Sequence, residues 1–156
     1  MEVSKIVLVT NIPAPYRVPV WNMLVGFDLT VLFCAKTERN RRWDPPKLLI
    51  KHEYLEGLTK NQKDGFNFVY LNVSVLSRLR RIRPDVVMFT SLNPTSLLAF
   101  SWAKLNRKIT IYMTDGCERS ERDHPSYLKI LRKAVLPKVD AAISASRSGM
   151  RLVKNF

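Results

Sequence analysis

The chain has 156 residues, 46% of them hydrophobic, which suits one globular domain and excludes a disordered chain. Its formal charge of +13 favours anionic partners such as nucleic acid, a phosphorylated substrate or an anionic membrane surface, against a plain solvated basic surface. No apolar run reaches the roughly 20 residues of a membrane span, the N-terminus lacks a secretion signal, and two separated cysteines, Cys34 and Cys117, read as free thiols of a reducing compartment, with a disulfide between them the lesser alternative.

Lys5 to Thr10 is a short, β-branched, continuous apolar run and predicts a buried strand. The loop "NIPAPYR" follows, and Val18 to Val25 predicts a helix with Val18, Trp21, Leu24 and Val25 on one side. Phe27 to Cys34 predicts a second strand, and Ala35 to Pro46 a polar, proline-broken loop. Leu48 to Leu58 has no decisive period, Thr59 to Gly65 reads as a polar connection, and Phe66 to Leu71 as a strand. Ser74 to Arg83 predicts a helix that stops before Pro84. Asp85 to Thr90 predicts a strand, and Asn93-Pro94 the cap and first turn of a helix running to about Asn106. Ile109 to Met113 (strand), Pro125 to Leu136 (helix), Val139 to Ser144 (strand) and Ser146 to Asn155 (helix) complete the pattern.

Strands and helices alternate, and the strands are apolar on both faces. The fold class is therefore α/β: a single Rossmann-like domain over residues 1–156, with a mostly parallel sheet and helices on both faces. In such sheets ligands sit beyond the carboxyl ends of the strands. That rule singles out Thr10 to Arg17, Ser91 to Thr95, Thr114 to Arg119 and Ser144 to Arg147.

The first loop offers Asn11, Tyr16 and Arg17, and a guanidinium can grip phosphate or carboxylate with two parallel hydrogen bonds. Its prolines restrict the loop; the alternative is a plain connecting turn. Ser91, Asn93 and Thr95 stand at a helix N-terminus, where free N–H groups can hold an anion or a sugar hydroxyl, although Asn93 also serves as an ordinary cap. Asp115, followed by Gly116 and then Arg119, is the candidate catalytic carboxylate, against the reading of a turn aspartate. His124, before Pro125, reads as a surface or capping residue, and no Cys/His cluster suggests a metal. Arg78, Arg80, Arg81 and Arg83 form a basic helix face that is either simply solvated or docks anionic lipid. Lys129, Arg132, Lys133 and Lys138 form a second such set, and neither has the spacing of a nucleic-acid module.

The segments "KIVLVTNIPAPYRVPVWNML", "FDLTVLFCAKTERNRRW", "RPDVVMFTSLNPTSLLAFSWAK", "IYMTDGCERSE" and "VDAAISASRSGMRLV" together resemble the N-terminal half of group 1 (family 4) glycosyltransferases. The likeness covers essentially all 156 residues. It implies one half of a GT-B fold, in which the N-terminal domain binds the acceptor. A second domain, carrying a paired-glutamate motif, binds the nucleotide-sugar donor. The implied reaction is hexosyl-type transfer onto a hydroxyl with retention, with no cofactor beyond the donor co-substrate and no metal. The implied acceptor is a sugar, polysaccharide or lipid-linked glycan, at the cytoplasmic face of a membrane.

Two departures stand out. Many members have glycines where this chain has Pro13-Ala14-Pro15-Tyr16-Arg17, and many have histidine near the position of Asp115. These residues contain no donor half, as in an excised domain or a truncated product, so the chain alone is expected to transfer no sugar appreciably. The competing expectations are a non-enzymatic α/β binding domain and a basic nucleic-acid-binding domain.

Overall fold

A computed structural model describes residues 4–41, 43–44, 46–61, 68–117, 119 and 126–156, with backbone alone at 61 and 126. Six strands form one parallel sheet: β1 (Ile6–Thr10), β2 (Leu29–Phe33), β3 (Lys51–Tyr54), β6 (Val86–Phe89), β7 (Ile109–Thr114) and β8 (Ala141–Ser144). The spatial order is β3-β2-β1-β6-β7-β8, and every neighbouring pair is parallel. The protein is an α/β, Rossmann-like domain. Two further strands, β4 (Leu58–Asn61) and β5 (Phe68–Leu71), pair antiparallel in a separate ribbon.

Alternation along each strand sends successive side chains to opposite faces. Val7, Val9, Leu32, Val87, Phe89 and Tyr112 point to one face. They are covered there by α2 (Val75–Ile82) and α3 (Pro94–Leu105), and by Val135 and Leu136 at the end of α4 (Ser126–Val135). Leu8, Leu29, Val31 and Phe33 point to the other face, against Val18 and Trp21 of α1 (Val18–Asn22) and Ile50. The last helix, α5 (Arg147–Lys154), follows β8. Its N-cap Ser146 accepts the Gly149 N–H, as Asn93 accepts the Ser96 N–H in α3.

Three expectations need correction. The helix expected over Val18 to Val25 ends at Asn22. The Leu24 N–H turns back to the Trp21 carbonyl, tightening and closing the last turn, and Met23 and Val25 face solvent instead of the core. Of the polar stretch Thr59 to Gly65, Thr59 to Asn61 belong to β4, and the strand expected at Phe66 to Leu71 is β5 (Phe68–Leu71), placed in the ribbon and not in the main sheet. Residues 62–67 lie outside the described residues.

Asn72, fully buried, fastens this ribbon to the sheet. Its side-chain amide donates to the Cys34 and Leu55 carbonyls at 3.1 and 3.3 Å, and its backbone N–H donates to Thr95 Oγ1 at 2.9 Å. The Thr95 hydroxyl lies 3.0 Å from the Tyr70 carbonyl and 2.9 Å from Asn72 Oδ1. Gly57 fits beside this knot because a Cβ there would meet the Leu71 carbonyl at 2.4 Å.

Thr95→Val keeps the shape but removes the hydroxyl from a buried pair. It should destabilise the fold by about 1–3 kcal/mol, read as a lower urea midpoint; an unchanged midpoint would show that the knot holds nothing.

Candidate functional site

The chain runs from β1 outward to β2 and β3, then returns to β6 on the opposite side of β1. The β1/β6 junction is therefore the topological switch point, the place beyond the strand ends where open α/β sheets generally bind their ligands. Asn11 follows β1 and Ser91 follows β6 by two residues. Asn11 Oδ1 accepts from Ser91 Oγ at 3.2 Å and from Asn93 Nδ2 at 3.0 Å. Asn93 Nδ2 also donates to Ser91 Oγ at 2.9 Å. One layer below, the Thr10 and Thr90 hydroxyls lie 2.9 Å apart. Three of the residues read as substrate-binding, Asn11, Ser91 and Asn93, thus form one partly buried polar cluster.

The first loop packs back on the domain. Ile12, Pro13 and Ala14 are buried, and the Arg17 and Val18 N–H groups both donate to the Ala14 carbonyl. This compact turn leaves Tyr16 66% exposed and directs Arg17 across to the end of β7. There Arg17 Nη2 meets Asp115 Oδ2 at 2.5 Å, with side-chain exposures of 24% and 56%. The Arg17 guanidinium also lies 5.6 Å from the centre of the Tyr16 ring. An exposed ion pair contributes only about 0–1 kcal/mol. An incoming anion can therefore take Arg17, and an incoming hydroxyl can donate to Asp115, at small cost.

Gly116 continues this edge. Its N–H donates to Thr114 Oγ1 at 3.0 Å, and its carbonyl faces Gly149 in the first turn of α5. A Cβ on Gly149 would stand 2.5 Å from the Gly116 carbonyl and 2.2 Å from Ser144 Oγ. The bare glycine therefore lets α5 seat against the turn that carries Asp115.

Thr95 departs from expectation. It is fully buried, and its hydroxyl is engaged by Asn72 and the Tyr70 carbonyl. It lies inside the fold and makes no bond to the Asn11–Ser91–Asn93 cluster. Arg119 is exposed, apart from the described cluster, and His124 lies outside the described residues. The basic face of α2 is partly neutralised. Arg78 Nε lies 3.0 Å from Glu53 Oε2, in charge contact without hydrogen-bond geometry, and Arg81 donates to the other oxygen of Glu53. Arg80 and Arg83 are exposed and have no partner among the described residues.

The sequence reading overlooked Asn72 and Gly149. A lone Asn before Val-Ser looks like a turn, and a lone Gly inside a helix looks like a weak position. Only their close contacts in space give them roles.

Neither cysteine is in a disulfide. Cys34 lies beneath the polar cluster, and burial pushes its thiol up to about 12 against the opposing hydrogen bonds of Thr95 and Asn93. It is therefore no nucleophile at neutral pH. Among the described residues, no group of three or more His, Cys, Asp or Glu side chains could hold a metal ion. No described helix is long and apolar enough to cross a membrane.

The sequence matches no known protein family and gives no significant match to a curated protein.

Iodoacetamide at pH 8 should leave Cys34 unlabelled in the native protein and label it after unfolding, as read by peptide mass spectrometry. Rapid native labelling would contradict the buried, protonated thiol.

Proposed function

We propose that this domain is the acceptor-side half of a retaining GT-B glycosyltransferase of the group 1 type. In this reading it moves a hexosyl unit from a nucleotide sugar to a hydroxyl of a polysaccharide or lipid-linked glycan. The observation that carries the reading is the meeting of Arg17 and Asp115, 98 residues apart in sequence, beside the Asn11–Ser91–Asn93 cluster at the switch point. The family resemblance points to Arg17 and Asp115, the strand-end rule points to Asn11, Ser91 and Asn93, and the parallel fold gathers them on one edge.

In this mechanism a second, donor-binding domain closes over the carboxyl edge and brings the nucleotide sugar to the acceptor. Holding both substrates in a near-attack geometry is the larger share of the catalytic task. Asp115 accepts a hydrogen bond from the acceptor or donor sugar and stabilises positive charge that develops at the anomeric carbon. Arg17 orients the Asp115 carboxylate in the free protein, then turns to an anionic group of the bound substrate. Asn11, Ser91 and Asn93 supply amide and hydroxyl groups for sugar hydroxyls, with Tyr16 and Gly116 bordering the proposed site.

In the two-domain protein, Asp115→Asn should lower kcat by about 10²–10³ while leaving the circular dichroism spectrum unchanged. Wild-type turnover in that variant would reject the catalytic role, and sugar transfer by the lone 156-residue chain would reject the need for a second domain.

The exposed arginines of α2 supply attraction to anionic lipid, near which the lipid-linked acceptor would lie. With Arg78 and Arg81 held by Glu53, the pair Arg80 and Arg83 carries this attraction. Arg80→Gln with Arg83→Gln should weaken binding to phosphatidylglycerol vesicles about tenfold at low salt. Equal vesicle binding by that variant would discard the surface as a membrane contact.

A further inference from the structure

A separate cavity of about 470 Å³ opens between the loop after β2 and the β4–β5 ribbon. Thr37, Glu38, Arg39, Thr59, Lys60 and Phe68 line it. Its size lies within the range of small-molecule sites, which are mostly apolar pockets with a few fixed polar groups.

The fixed group here is Glu38, only 7% exposed. The fully buried Tyr70 hydroxyl donates to one carboxylate oxygen, and Arg41 Nε donates to the other at 3.1 Å. Burial, chiefly, and then the bond to Glu38 push the Tyr70 phenol far up, so it remains a donor at any working pH. Arg41 is steadied in turn by the Trp43 ring, 4.9 Å away. Glu38 therefore has its charge matched and its position set before any ligand arrives, while a carboxylate has further lone pairs to offer a hydroxyl.

The other charges in the cavity are unmatched. Arg39 and Lys60 are exposed, and among the described residues neither side chain has a hydrogen-bond or ion-pair partner. Two cations and two threonine hydroxyls form a donor set for a phosphate. Phe68 adds an aromatic surface on which the apolar face of a sugar ring can rest. Glu38 adds an acceptor for a sugar hydroxyl.

We propose that this cavity binds a phosphorylated sugar, with the phosphate on Arg39 and Lys60, the ring against Phe68 and a ring hydroxyl donating to Glu38. The same chemistry is presented by a free sugar phosphate and by a phosphorylated sugar on a lipid. The site does not depend on sugar transfer, because binding is measurable in a chain that transfers nothing.

The test is calorimetric titration of the 156-residue chain with glucose 6-phosphate, glucose and inorganic phosphate, each as its own probe. Glucose 6-phosphate should bind at least about tenfold tighter than either of the others, since it alone satisfies both halves of the cavity. Arg39→Gln with Lys60→Gln should weaken it at least about tenfold, as two charge-assisted contacts are lost. Phe68→Leu should narrow the gap between glucose 6-phosphate and inorganic phosphate. Urea midpoints of the variants separate loss of contact from loss of folding. Flotation with vesicles carrying phosphatidylinositol phosphate, whose phosphorylated cyclitol headgroup presents the same ring hydroxyls and phosphate, against phosphatidylglycerol distinguishes the sources: retention specific to the former and lost in the double variant assigns a lipid-borne ligand, and its absence alongside tight soluble binding assigns the free sugar phosphate. Equal affinity for glucose 6-phosphate and inorganic phosphate, or undiminished binding by a folded double variant, would overturn the proposal.

Discussion

The buried amide of Asn72 joins four segments of the chain. It binds the carbonyl after β2, the carbonyl before the ribbon, and, through Thr95, the first turn of α3 and the end of β5. A buried polar group of this kind is expensive unless every partner is present, so the four segments must assemble together. Two consequences follow. The start of α3 is fixed below the Asn11–Ser91–Asn93 cluster, and the β4–β5 ribbon is fixed against the loop that carries Glu38. The polar cluster at the switch point and the cavity beside the ribbon therefore share one support, although they are made of different residues.

Parallel pairing supplies the second constraint. The crossovers return every strand of the main sheet in the same direction, so the carboxyl ends collect on a single edge. Arg17 and Asp115 are brought within 2.5 Å by this geometry and not by any local preference. The turn that holds Arg17 needs no glycine because no backbone there adopts a left-handed conformation; the described non-glycine positive φ values fall at Arg83 and Arg107. Proline suits it better: buried Pro13 restricts the chain just where Ala14 begins the turns that end in α1. The missing glycines of "NIPAPYR" mark a loop that presents a side chain instead of backbone N–H groups.

The parts of the fold legible in the sequence were those governed by local patterns. Apolar runs such as Val86–Phe89 announce a strand buried on both faces, and Asn93-Pro94 announces its own helix start. The β4 strand was hidden because Leu58–Asn61 is short and mostly polar, with residues 58–60 exposed, and gains its form only from pairing with β5. Thr95 was misjudged because its position near a helix start says nothing of which way that turn faces. The charge on α2 was likewise overstated, since Glu53, 28 residues from Arg81, does not announce itself as a partner. Strand ends could be found from the sequence; which of their side chains meet, and which turn inward, depends on packing between distant segments.

The distribution of charge carries the same lesson further. Seven described ion pairs engage six carboxylates, because Glu53 takes two arginines. Several lie near the amino edge of the sheet or on its flank, where Asp140 receives Lys104 and both donors of Thr110, and Asp85 receives Lys108 and the Lys5 N–H. Those pairs secure strand starts. The bond from Lys104, with those from Thr110, draws the Asp140 carboxyl down to about 2, so it stays ionised through the ordinary pH range. The basic excess of +13 is consequently not consumed by the scaffold. It stands in places such as Arg80 on α2, Arg83 at its C-cap, and Arg39 and Lys60 at the cavity, where exposed cations with no partner among the described residues raise the local concentration of anions. The positive charge is thus separable from the fold's own needs, and its removal at those four positions should change what the surface attracts far more than how well the chain folds.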